Sequence, residues 1–154
     1  MNIIKLEELE LKILTELDIT DYCNLNDINP DNITELNLKY NNLTDISGIK
    51  LFKNLNTLYL NSNELTDISV LKYLIKLKEL YLNNNKITNI SVLKNLTNLI
   101  NLDIENLELE SDQIEYIKSL KNIKKIWCKN RFKDMNIINE LNKNIKIIKG
   151  MKYV

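Results

Sequence analysis

Residues 33–98 are one phrase written three times. ITELNLKYNNLTDISGIKLFKN (33–54) runs directly into LNTLYLNSNELTDISVLKYLIK (55–76) and LKELYLNNNKITNISVLKNLTN (77–98). Nothing else in the chain restricts its fold as strongly. Each copy carries two leucines two residues apart: Leu36 and Leu38, Leu58 and Leu60, Leu80 and Leu82. On an extended strand such residues point to one face, and the residue between them points to the other. Leucine therefore fills an inner face, while Asn37, Tyr59 and Tyr81 look outward. One strand of this kind cannot bury its own apolar face. The copies must stack, with parallel strands about 4.8 Å apart.

Looser copies flank the three. LTELDITDYCNLNDINPDN (14–32) precedes them, LINLDIENLELESDQIEYIKSLKN (99–122) and IKKIWCKNRFKDMNIINELNKN (123–144) follow, and IKIIKGMKYV (145–154) opens another turn. The spacing of leucines and a closing asparagine over 20–29 residues is the leucine-rich-repeat signature. The expected fold is α/β: a leucine-rich-repeat solenoid, a right-handed horseshoe with a parallel sheet on the concave face and short helical segments on the convex face. One domain is expected over 1–154. Within it, 1–13 is an N-terminal cap region whose Glu and Leu content suits helix and strand alike. Residues 14–144 make about six repeats. Residues 145–154 supply a C-terminal edge strand, whose Lys146, Lys149 and Lys152 discourage a further strand from adding.

Asn41, Asn63 and Asn85 recur where the chain turns inward beneath its strand. Backbone amides and carbonyls buried there need partners, and an Asn amide offers both donors and acceptors, so these three are expected to form a structural asparagine ladder. Asp45, Asp67 and Asn89 are placed to cap a short helical turn on the outer side. The fourth copy is longer and puts Leu107 at the ladder position. Its ESDQIEYIKSL predicts a true helix with Ser111 as N-cap and with Ile114, Ile117 and Leu120 inward. In the fifth copy Cys128 stands for the second strand leucine and Arg131 for the ladder Asn.

The phrases NNLTDISGIK, NELTDISVLK and NKITNISVLKNLTNL resemble the 22-residue leucine-rich repeats of the bacterial internalins and, less closely, those of the protein phosphatase 1 regulatory subunits. The resemblance covers 33–98 closely and 14–144 loosely. It is specific for a repeat subclass that many unrelated binders share. It therefore implies a binding scaffold without naming what is bound.

If the repeated residues build the scaffold, function falls to the outward ones. The central outward position of successive strands is expected to run Asp18, Asn37, Tyr59, Tyr81, Asp103, Trp127 and Lys149. Its polar flanks include Glu79, Glu105, Lys125 and Lys129. Tyr and Trp are enriched at binding hot spots, although aromatic residues also suit strands and pair across them. The expectation is a protein partner recognised on the concave face, with Tyr59, Tyr81 and Trp127 as anchors and Asp103, Glu79, Glu105, Lys125, Lys129 and Asn37 around them.

The formal net charge is zero, with 21 basic and 21 acidic residues. The charges are unevenly spread: from Lys118 onward there are eleven basic residues and two acidic ones. This leaves open a binder of nucleic acid or an anionic surface through the Lys-rich C-terminal third. That reading is disfavoured, because Trp127 and Phe132 offer only a thin version of the aromatic interleaving it requires. A structural unit that self-assembles through its ends is the remaining alternative; a monomer is expected.

Catalysis is not expected. The absence of His removes the commonest general base and zinc ligand. No glycine-rich phosphate loop or clustered metal ligands occur, and Glu79, Asp103 and Glu105 are expected on a broad open face. Neither a cofactor nor a metal is implied. Cys23 and Cys128 should lie about five strands, roughly 24 Å, apart and so remain reduced. The opening MNIIKLEELELKIL has acidic residues where a signal peptide needs an apolar run, and no segment reaches the roughly 20 apolar residues of a membrane span. The expected location is cytoplasmic, with secretion or surface exposure expected only if the sequence is trimmed.

Overall fold

A computed structural model describes residues 3–5, 20–21, 23–24, 26–128 and 146–148. Its spine is a parallel sheet of seven strands in sequence order: β1 (Ile3–Lys5), β2 (Glu35–Asn37), β3 (Thr57–Tyr59), β4 (Glu79–Tyr81), β5 (Asn101–Asp103), β6 (Lys125–Trp127) and β7 (Lys146–Ile148). Each strand is only three residues long, yet the interstrand bonding runs further. The Leu38 amide donates to the Tyr59 carbonyl at 2.9 Å, and Leu60 to Tyr81 and Leu82 to Asp103 in the same way.

The leucines fill the inside as their spacing demands. Leu36, Leu58, Leu60, Leu80 and Leu82 have no exposed surface, and each contributes about 1.5–3 kcal/mol by burial. On the opposite side, 3-10 turns at Ser47–Leu51, Ser69–Tyr73 and Ser91–Asn95 return Ile49, Leu71 and Leu93 to the same core. Asp45, Asp67 and Asn89 do initiate these turns, accepting from the amides of Ser47, Ser69 and Ser91. They do so one residue earlier than an N-cap would: the cap positions themselves are Ile46, Ile68 and Ile90, which make no side-chain bond.

The asparagine ladder is present, and it has a direction. Asn63 Oδ1 accepts from the amides of Asn41 and Leu43, both at 3.0 Å, while its Nδ2 donates to the carbonyls of Leu38 and Leu60. Asn85 repeats the arrangement one coil on, accepting from Leu65 and donating to Leu60 and Leu82. Each side chain reaches back to the coil before it. Asn41 departs from the expectation: it is only half-buried, and its Nδ2 donates to Lys39 of its own coil.

A second positional demand falls at Tyr40, Ser62, Asn84 and Asn106, each 22 residues from the next, where φ lies between 57° and 60°. The backbone enters the left-handed region there to turn beneath the strand. Asn tolerates this conformation better than other non-glycine residues. Tyr40 and Ser62 hold it without that advantage.

The ends differ from the sequence expectation. β1 pairs with β2 in the register Ile3 to Glu35 and Lys5 to Asn37. The strand beside the first full repeat therefore comes from the region expected to be a cap, while among the described residues of the copy at 14–32, residues 20, 21, 23 and 24 are helical. At the other end β7 is the edge strand, and Ile148, rather than Lys149, stands in register with Trp127. In the long fourth copy the helix forms at Ile114–Lys118, with Ile114, Ile117 and Leu120 buried. Ser111 is not its N-cap, because the preceding 3-10 turn begins there with Glu110 in the capping place.

Candidate functional site

The strand alternation places two outward rows on the sheet. One contains Glu35, Thr57, Glu79, Asn101 and Lys125; the other contains Asn37, Tyr59, Tyr81, Asp103 and Trp127, with Lys5 and Ile148 in backbone register at its two ends. The second row is the expected central column with its ends changed. Lys5 occupies the place assigned to Asp18, which lies outside the described residues, as do Lys129 and Lys149.

The aromatic members meet. Tyr59 and Tyr81 are stacked, with ring centroids 4.7 Å apart and planes within 9°. This matches the strand spacing, so the two rings simply rise side by side. Tyr81 and Trp127 sit two strands apart, which would separate parallel side chains by about 9.6 Å. Their centroids are 6.2 Å apart, with a 40° tilt. The rings therefore lean toward each other across β5, whose residue in that row is Asp103.

This lean overturns the expectation of an open acidic face. Asp103 and Glu105 are each only 3% exposed. Asp103 Oδ1 accepts from the Glu105 amide at 3.0 Å. Burial, with a smaller push from the Glu105 charge, raises the Asp103 carboxyl to about 6 from 3.8, against the opposing effect of that backbone bond. Glu105 Oε2 and Trp127 Nε1 are sealed from solvent without a hydrogen-bond partner. Glu79 is half-buried and accepts from the Tyr81 hydroxyl at 2.8 Å. Burial, then Glu79, push the Tyr81 phenol well above its usual value. The Tyr59 phenol is raised too, by burial, Glu35 and Glu79. Asn37 is half-buried, and Lys125 is exposed at the margin.

Sequence reasoning passed over a second asparagine series. Asn54, Asn98 and Asn122, each ending its repeat, donate from Nδ2 to the carbonyls of Asp31, Ile75 and Thr97 in the preceding coil. The signal was the recurrence of Asn at the last repeat position. On the outer side, a shallow hollow of about 290 Å³ lies between the turns at Asp45 and Asp67; in its lining the exposed Ser69 hydroxyl donates to Asp67 Oδ2 at 3.0 Å. Among the described residues, no group of three or more Cys, Asp or Glu side chains is arranged to hold a metal, and no helix is long and apolar enough to cross a membrane. Cys23 and Cys128 are buried and not disulfide-linked. The lysine-rich stretch beyond Cys128 is outside the described residues except for 146–148.

Coils of this length and spacing, stacked through a parallel sheet and tied by buried asparagines, define a leucine-rich-repeat protein. In agreement, residues 31–73 match the family described as Leucine Rich repeats (2 copies). Comparison with curated proteins gives no match. Among solved structures, the chain is similar to an internalin (inlF) of Listeria monocytogenes, at 26% identity and a TM-score of 0.59 over 77% of this chain and 42% of that one. It is similar to internalin C2 of the same organism at 26% identity and 0.69, over 78% and 53%. A leucine-rich-repeat protein of Leptospira interrogans matches at 26% and 0.68, over 90% and 34%. The chain thus spans from about a third to about half of these structures. Its repeats are similar to those of internalin-type leucine-rich-repeat proteins. Proteins of this type are generally protein-interaction modules, and the fold is typically non-catalytic.

Proposed function

We propose that the chain is a non-catalytic recognition module that takes a protein partner on its concave sheet face, with Tyr59, Tyr81 and Trp127 as anchors. The observation that carries this reading is the run of three aromatic rings in mutual contact along the outward row. Rings held by one another lose little freedom on binding, so more of the contact energy appears as affinity. Tyr and Trp combine a broad apolar surface with a polar tip, the pairing that recurs at hot spots. Asn37 and Lys125 supply a polar margin around them. All of these residues come from one chain, so a monomer suffices.

The test is affinity capture from cell lysate with the wild type beside a Tyr59→Ala, Tyr81→Ala, Trp127→Ala triple variant of equal melting temperature. A protein held by the wild type and released by the variant supports the concave face. Equal capture by both moves recognition to another surface.

A further inference from the structure

The centre of the concave face contains two buried carboxylates. Asp103 and Glu105 are the only charged side chains among its buried described residues. Asp103 receives one backbone bond from Glu105, while Glu105 Oε2 has no donor at all. A buried carboxylate oxygen without a donor is costly and uncommon. Among the described residues no lysine or arginine neutralises the pair: the ion pairs are Lys86 with Glu64 and Lys118 with Glu115, both elsewhere on the surface. Glu79 adds a third carboxylate beside Tyr81. Burial, more than these neighbours, makes Tyr59, Tyr81 and Asp103 all hold their protons more tightly than usual. With Asp103, Glu105 and Glu79 together, the centre is rich in carboxyl groups, walled by aromatic rings, and short of donors.

We propose that this centre is the seat of an arginine side chain presented by the protein partner, its guanidinium entering as the Tyr81 and Trp127 rings part, stacking on them and donating to Asp103 and Glu105. The inference rests on the concave-face reading and narrows it to partners with an exposed arginine. A guanidinium meets each local requirement. Its plane stacks on indole and phenol faces, and its fork of five N–H groups matches carboxylates. It also supplies the donor that Glu105 Oε2 lacks. An aliphatic or acidic side chain would leave that oxygen as it is. A primary ammonium carries the charge without the plane and should bind more weakly.

Trp127 is the only tryptophan in the chain, so its emission reports on the site directly. The full chain is titrated with acetyl-Gly-Arg-Gly-amide, with the lysine peptide, and with the citrulline peptide, which keeps the arginine shape but loses its charge. The expected result is a saturable change in Trp127 emission with arginine, a weaker response with lysine and none with citrulline. Glu105→Gln and Asp103→Asn, each confirmed as folded, should weaken the arginine response at least about tenfold. An equal response to citrulline, no response to arginine, or titrations unaltered by both substitutions would overturn the proposal. The two readings fail separately. If the arginine peptide does not bind but a captured partner is still lost from the triple alanine variant, the cation seat falls and the concave face stands. If the peptide binds while partner capture is unaffected by that variant, the seat stands and the concave partner reading falls.

Discussion

Asp103→Asn should make this protein more stable near neutral pH, and the gain should vanish in acid. The carboxylate is 3% exposed and its pKa is raised from 3.8 to about 6, chiefly because burial disfavours the charge. A raised folded-state value means that the protonated form is favoured on folding. Stability is then complete below about pH 4 and is lost as pH rises through about 6. At about 1.36 kcal/mol for each tenfold change in acid constant, the whole effect is about 3 kcal/mol. Asparagine keeps an oxygen to accept from the Glu105 amide and removes the charge, but its new N–H groups need partners. A net gain of about 1–2 kcal/mol at pH 7 is the expected outcome. Urea denaturation of both proteins between pH 4 and 7.5 measures it. Taking the difference between them cancels the groups they share. A difference that stays flat across that range, or a variant less stable at pH 7, would refute the argument that a buried charge is being held at Asp103.

Three further outcomes follow from the scaffold. Asn63→Leu should cost about 3–5 kcal/mol in chemical denaturation, because it strips partners from the Asn41 and Leu43 amides and the Leu38 carbonyl together; a loss under about 1 kcal/mol would show that the turn finds other partners. Tyr40→Gly should raise stability by about 1 kcal/mol, since Tyr40 is 69% exposed and sits at φ 60°; a lower melting temperature would contradict this. Asn98→Ala, which removes one exposed bond to the Ile75 carbonyl, should cost no more than about 1 kcal/mol, placing the outer asparagine series well below the inner ladder in a side-by-side melt.

How far the residues announced the structure depended on the range over which each feature is decided. Leu58 and Leu60 are inward because of an alternation two residues long, so their places could be read directly. Asn63 and Asn85 could be read because a buried turn must pair its own amides. The first and last strands could not be placed by counting. Ile3 to Glu35 is 32 residues and Lys125 to Lys146 is 21, so matching the short copy at 14–32 to the next repeat puts Asp18 where Lys5 stands, and a 22-residue step from Trp127 puts Lys149 where Ile148 stands. The burial of Asp103 and Glu105 was also out of reach. It depends on how far Tyr81 and Trp127 lean across an intervening strand, and spacing does not encode lean.

The backward reach of Asn63 and Asn85 also sets a timetable. As the chain leaves the ribosome, residues 33–54 arrive with their turn amides at Asn41 and Leu43 lacking the Asn63 oxygen they will use. Leu65 likewise waits for Asn85. Each coil is thus finished by the one synthesised after it, so that a nascent chain always carries one incomplete turn at its growing end. Leu107 cannot perform that service for the coil at 77–98, and the relay of inner asparagines ends there.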